Sequence, residues 1–159
     1  MKVAALPVLL SLALALAGCT GARTGDPVSG AAPDAAPDAP RMTAPPPPRT
    51  ARTAEQFDTT TEAERAAALA PAPPGGAERL GTTLASLGDP AAPGFWLETP
   101  LVTSTRQGRV VLPGTGTAVQ VELRPISGPA TGGSRISLAA MRLLGLPLTD
   151  IAELEVYAG

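Results

Sequence analysis

Ala118-Val119-Gln120-Val121-Glu122-Leu123-Arg124 sets Val119, Val121 and Leu123 on one face and Gln120, Glu122 and Arg124 on the other. A period of two belongs to a strand with one face in a core and one in water. The same pattern continues outward. Residues 80–87 end at Gly88-Asp89-Pro90, 94–102 carry Phe95-Trp96-Leu97, and 109–112 end at Pro113-Gly114, so short apolar runs alternate with turn signals. Downstream, Ser137 predicts the N-cap of a helix over 138–144, Gly145 stands where a left-handed cap is needed, and Pro147 lies just beyond. Residues 153–157 alternate again, with Leu154 and Val156 on one face. Residues 77–159 are therefore expected to form a mainly β domain with one short helix. A domain this small without disulfides has a marginal core, and a closed or tightly packed β fold is the economical solution.

Ahead of that domain the pattern loosens. In 53–76, Thr61 with Glu64 three residues on reads as a capping box, an alanine-rich run follows, and Pro71, Pro73, Pro74 and Gly75 end the helix. Residues 19–52 hold eight prolines, including Pro45-Pro46-Pro47-Pro48, and a near-repeat of Ala-Ala-Pro-Asp at 31–34 and 35–38. With almost no apolar side chain larger than alanine, this stretch has nothing to offset the entropy of ordering, and a disordered Pro/Ala-rich tether is expected.

Residues 1–18 have the parts of an export signal: Lys2, an apolar run from 3 to 17, and small residues before a cut. The run is short of the ~20 apolar residues that span a bilayer. It closes with Leu16-Ala17-Gly18-Cys19, which contains the only cysteine in the chain. These four residues resemble the lipobox of bacterial lipoproteins. The resemblance implies cleavage between Gly18 and Cys19 and lipid attachment, including palmitate, at Cys19. Each buried CH₂ adds about 0.8 kcal/mol and two chains suffice for stable anchoring. In enteric bacteria an Asp after the cysteine favours the inner membrane; Thr20 here implies the outer membrane, with the protein facing the periplasm.

The absences narrow the chemistry. Lys2 is the only lysine, so cleavage leaves 11 arginines against 14 acidic residues, an acidic balance that is no footprint for nucleic acid. There is no histidine, and no thiol remains free once Cys19 is acylated. The usual general base near neutral pH, the Schiff-base amine and the soft metal ligands are thereby removed, leaving carboxylates, hydroxyls and Tyr157. No cofactor or metal is expected.

Two further resemblances follow from particular residues. Residues 117–121, Gly128-Pro129, Ser137-Leu138-Ala139-Ala140-Met141-Arg142-Leu143-Leu144-Gly145 and 153–156 resemble the end of the double-psi β-barrel of rare lipoprotein A, and Glu55-Gln56-Phe57-Asp58 is similar to that family's start. The resemblance implies a double-psi-like barrel and a cell-wall partner. Some members cleave glycan strands with an Asp in an Asn-Asp-Arg-Gly-Pro turn and a His ahead of the barrel. Here the turn reads Pro125-Ile126-Ser127-Gly128-Pro129, no histidine exists, and Arg135 replaces the acid ahead of Ser137. Phe57-Asp58-Thr59-Thr60, Leu80-Gly81-Thr82, 94–102 and Ser134-Arg135-Ile136-Ser137 are in turn similar to short alphaproteobacterial lipoproteins sometimes labelled D-galactarate dehydratase. Proton abstraction beside a carboxylate needs a base and usually a cation.

The expected function is thus a membrane-anchored lipoprotein carrying a non-catalytic barrel, which binds peptidoglycan or another envelope protein. The alternative is an enzyme that cleaves glycan or dehydrates galactarate with carboxylates alone, resting on Glu55 and Asp58, with Glu98 a further acid. Trp96 is the candidate binding residue, since neighbouring Phe95 and Trp96 face opposite ways in a strand and an exposed indole stacks on sugar rings. Arg106, Arg109, Arg124 and Arg135 form an anion site if folding gathers them.

Overall fold

The computed structural model describes residues 44–71 and 77–159. Residues 1–43, and with them Gly18, Cys19 and the signal segment, lie outside the described residues, as do 72–76. Six strands, β1 (Glu78–Leu87), β2 (Trp96–Thr99), β3 (Arg106–Leu112), β4 (Thr117–Pro125), β5 (Ser134–Ile136) and β6 (Ala152–Ala158), close into a barrel in the order β1-β5-β2-β4-β3-β6. Two short helices, α1 (Ala54–Phe57) and α2 (Glu62–Ala68), precede it, and α3 (Leu138–Leu143) joins β5 to β6. This is the expected fold class, a small mainly β barrel with one helix inside its sequence. Among the described residues no helix is long and apolar enough to cross a membrane.

The strand pairing is two-fold symmetric about the barrel. Parallel pairing of β1 with β5 (Leu87 opposite Ile136) is matched by parallel pairing of β4 with β2 (Leu123 opposite Leu97). Antiparallel pairing of β1 with β6 (Thr83 opposite Leu154, Ala85 opposite Ala152) is matched by β4 with β3 (Val119 opposite Val110, Val121 opposite Gly108). Leu97 opposite Ile136 joins the halves. Leu87, Ile136, Leu97 and Leu123 are therefore successive neighbours across one belt. This double crossover is the double-psi-like topology, and it accounts for closure with few residues, because each half supplies the partners the other half lacks.

Alternation does the packing. In β4, Val119, Val121 and Leu123 are fully buried while Gln120, Glu122 and Arg124 stay partly exposed. Val110, Leu97, Ile136, Leu154 and Val156 fill the interior from the other strands, all at 0% exposure. Helix α3 begins where Ser137 accepts from the Ala140 amide at 3.3 Å, and the same hydroxyl accepts from the Trp96 amide at 3.2 Å, tying the helix start to β2. It ends in a Schellman motif: Gly145, at φ +72°, donates to Arg142 O at 3.0 Å, and Leu146 donates to Met141 O at 3.1 Å.

Residues 44–52, expected to belong to a disordered Pro/Ala-rich tether, are packed against the segment that follows them. Ala44 and Ala51 are 7% and 4% exposed, and the Pro45 carbonyl accepts from the Thr59 hydroxyl. Small side chains and proline carbonyls that serve as acceptors, Pro45 for Thr59 and Pro48 for the Ala51 amide at 2.9 Å, let this stretch fold back on residues 54–68. At α2 the capping box forms as expected, with the Glu64 amide donating to Thr61 Oγ1 at 3.2 Å and the Thr61 amide to Glu64 Oε2 at 2.8 Å.

Candidate functional site

The two carboxylates expected to carry chemistry meet at one cation. Arg142, in the last turn of α3, donates from Nη1 to Asp58 Oδ2 at 3.1 Å, and its Nη2 lies 3.9 Å from Glu55 Oε1. Asp58 has only 6% of its side chain exposed, and its other oxygen accepts from the Thr60 amide at 3.2 Å and from the Thr60 hydroxyl. Arg65 then grips Thr60, donating to its carbonyl at 2.6 Å and to its hydroxyl at 3.1 Å. Asp58 is thus the centre of a latch that fastens the strap of residues 54–68 to the barrel's helix. Glu55, 72% exposed, has its carboxyl held below the ordinary range by a backbone hydrogen bond, then by the Thr53 side chain, with a smaller pull from Arg142. It is ionised at neutral pH, whereas a carboxyl that protonates a leaving group needs its pKa raised.

Trp96 does not offer the stacking face expected of it. It is 1% exposed and Phe95 3%. The two rings do face opposite ways, but the loop 88–94 folds over the outer one: the indole Nε1 donates to Ala92 O at 3.2 Å, and a Cβ on Gly88 would lie 2.5 Å from the ring. Arg124 covers what remains, its guanidinium 5.3 Å from the ring centroid. An outward-facing residue in a strand is exposed only where no loop returns across it.

The four arginines do not gather. Arg106 is exposed at the start of β3. Arg109 stacks on Tyr157 at 4.7 Å, in a row where Arg79 lies on the other side of Tyr157 and pairs with Glu155 at 3.0 Å. The Arg109 Nε is buried without a hydrogen-bond partner among the described residues. Arg124 is paired with Glu122. Arg135, 65% exposed, lies 3.8 Å from Glu98, which stands between Arg135 and Arg124 in register.

Sequence reasoning missed the feature beside Arg135. Leu84 and Ile151, 56% and 68% exposed, are two of the three exposed large hydrophobics among the described residues. Together with Ser86, Gly133, Ser134 and Arg135 they line an open groove of ≈ 340 Å³ on the outer face of β6, β1 and β5. Ser134 is buried beneath it, sharing a 2.8 Å hydrogen bond with Thr83. Leu84 sits on the water-facing side of an alternating strand, which is the one signal in the sequence that marks the groove. The volume falls in the range of small-ligand sites. Comparisons of the chain with protein-family models, with curated proteins and with solved structures find no match.

Proposed function

We propose that the protein is a lipid-anchored, non-catalytic module of the cell envelope, held to the outer membrane through Cys19 and presenting its barrel to the cell wall on the periplasmic side. The observation that carries the non-catalytic part is the engagement of Glu55 and Asp58. Glycoside cleavage uses two carboxyls facing one another across the scissile bond, one of them with a raised pKa. Here both converge on Arg142; Asp58 is used up in hydrogen bonds within the strap, and the Glu55 carboxyl is shifted the wrong way. The envelope placement rests on the likeness of Leu16-Ala17-Gly18-Cys19 to a lipobox and on the Pro/Ala-rich stretch after it.

Cosedimentation of the detergent-solubilised full-length protein with purified peptidoglycan sacculi, and in parallel with outer-membrane protein extract, tests the reading. Binding to the sacculi is expected. Binding to neither would remove the proposed role, and turnover of glycan strands or galactarate that Glu55→Gln abolishes would replace it with the catalytic alternative.

A further inference from the structure

The barrel's two-fold pairing relates the open groove to a second surface, and that surface is covered in part. Under the exchange of β1 with β4, β2 with β5 and β3 with β6, Leu84 takes the place of Gln120, Ser86 that of Glu122, Arg135 that of Trp96 and Ile151 that of Gln107. At Gln120 the chain's own strap lies on that surface, at Trp96 the loop 88–94 does, and Gln107 stays exposed. The Gln120 side chain donates to the Ala70 carbonyl at 3.3 Å, just past α2, and Ala68 in the preceding turn is at 0% exposure. One half of the barrel thus shows what kind of segment its outer face accepts: a short alanine-rich stretch of backbone whose carbonyl oxygen meets a side-chain donor.

The differences between the halves specify the ligand for the open one. Leu84 and Ile151 replace two glutamines, so the walls favour small apolar groups. A carboxylate, Glu122, is replaced by the neutral Ser86, and a cation, Arg135, stands at the groove's end, where among the described residues its guanidinium is opposed only by Glu98 at 3.8 Å. An arginine fork is suited to a carboxylate. Exposed Glu153, opposite Leu84 in register, marks the other end with negative charge.

We infer that this groove binds a short alanine-containing peptide that carries free carboxylates and an amine, the chemistry of the peptide stems of the cell wall rather than of its glycan strands. The inference rests on the envelope reading above and deepens it. The peptide's methyl groups lie between Leu84 and Ile151, a carboxylate pairs with Arg135, and an amine turns toward Glu153.

Isothermal titration of the detergent-solubilised full-length protein with the soluble stem pentapeptide, and separately with glycan strands stripped of peptide, tests it. The peptide is expected to bind and the stripped glycan not. Arg135→Ala removes a charge-assisted contact and is expected to weaken peptide binding roughly ten- to a hundred-fold, while Arg106→Ala leaves it unchanged. Circular dichroism of Arg135→Ala checks that the fold is kept. Peptide binding that is indifferent to Arg135→Ala, or binding of stripped glycan alone, overturns the inference while the cell-wall reading stands. Peptide binding without any sacculus binding supports the groove and removes the cell-wall reading.

Discussion

Gly108→Ala is expected to destabilise the barrel far more than one methyl group implies. Gly108 lies in β3 between Val121 of β4 and Ala158 of β6. A Cβ there would sit 2.4 Å from the Tyr157 carbonyl oxygen and 2.5 Å from Leu123 Cδ1. The leucine can turn, but the carbonyl belongs to β6 and moves only if the β3–β6 ladder shifts. Overpacking a core by a methylene or so costs about 1–3 kcal/mol. A backbone clash places this case in the upper part, at about 2–3 kcal/mol, or roughly 10–20 °C in Tm for a domain of this size. Gly145→Ala is the control. Gly145 has φ +72° with nothing within 4 Å of its Cβ position, so its cost is conformational alone, about 1 kcal/mol. Urea unfolding followed by the fluorescence of buried Trp96 gives both values, with an unchanged m-value expected for each. If Gly108→Ala proved no worse than Gly145→Ala, the close approach of β3 and β6 that seals the barrel would not exist.

Three further outcomes follow from named contacts. Asp58→Asn keeps the shape of the latch but removes its charge, and is expected to cost about 1–2 kcal/mol; a double-mutant cycle with Arg142→Ala in urea unfolding should show coupling, and additive effects would mean the pair does not hold the strap. Ser137→Ala leaves both the α3 cap and the Trp96 amide without their acceptor and is expected to cost about 2 kcal/mol by the same assay, against a few tenths if the hydroxyl were idle. Glu155 has its carboxyl lowered first by the Tyr157 hydroxyl, which donates to it at 2.9 Å, and then by Arg79. Because its folded pKa is depressed, the stability it adds is present above the ordinary Glu range and is lost as pH falls through the lowered value; denaturation midpoints of wild type and Glu155→Gln should differ at pH 7 and converge at low pH, and a constant gap across pH would contradict the assignment.

The parts of the fold that obey a local period were legible in the sequence. Val119, Val121 and Leu123 alternate because one face of β4 is core, and Ser137 with Gly145 bound α3 because helix ends have orphan donors and acceptors to satisfy. Strand β5 was not legible: Ser134-Arg135-Ile136 is too short to show a period, and it is a strand only because Leu87 and Leu97 flank Ile136 on either side. The site was less visible still. Asp58 and Arg142 are far apart in sequence, so nothing local announces that the acid of a suspected catalytic pair is a latch. Trp96 faces outward as its parity requires, yet the loop 88–94 returns across it through Ala92 and Gly88. Likewise Leu84 and Ile151 become one groove only when β6 pairs with β1. Local rules identify faces; long-range pairing decides which faces are covered.

The role proposed for the barrel depends on its being held at the membrane by Cys19. Palmitate labelling of cells expressing the wild type and Cys19→Ala, with mass analysis of the N-terminal fragment and fractionation of inner and outer membranes, addresses that directly. The wild type is expected to begin at an acylated Cys19 and to partition with the outer membrane, while Cys19→Ala remains an unlipidated, uncleaved precursor. A wild-type protein recovered without lipid and free in the periplasm would contradict the anchored envelope role.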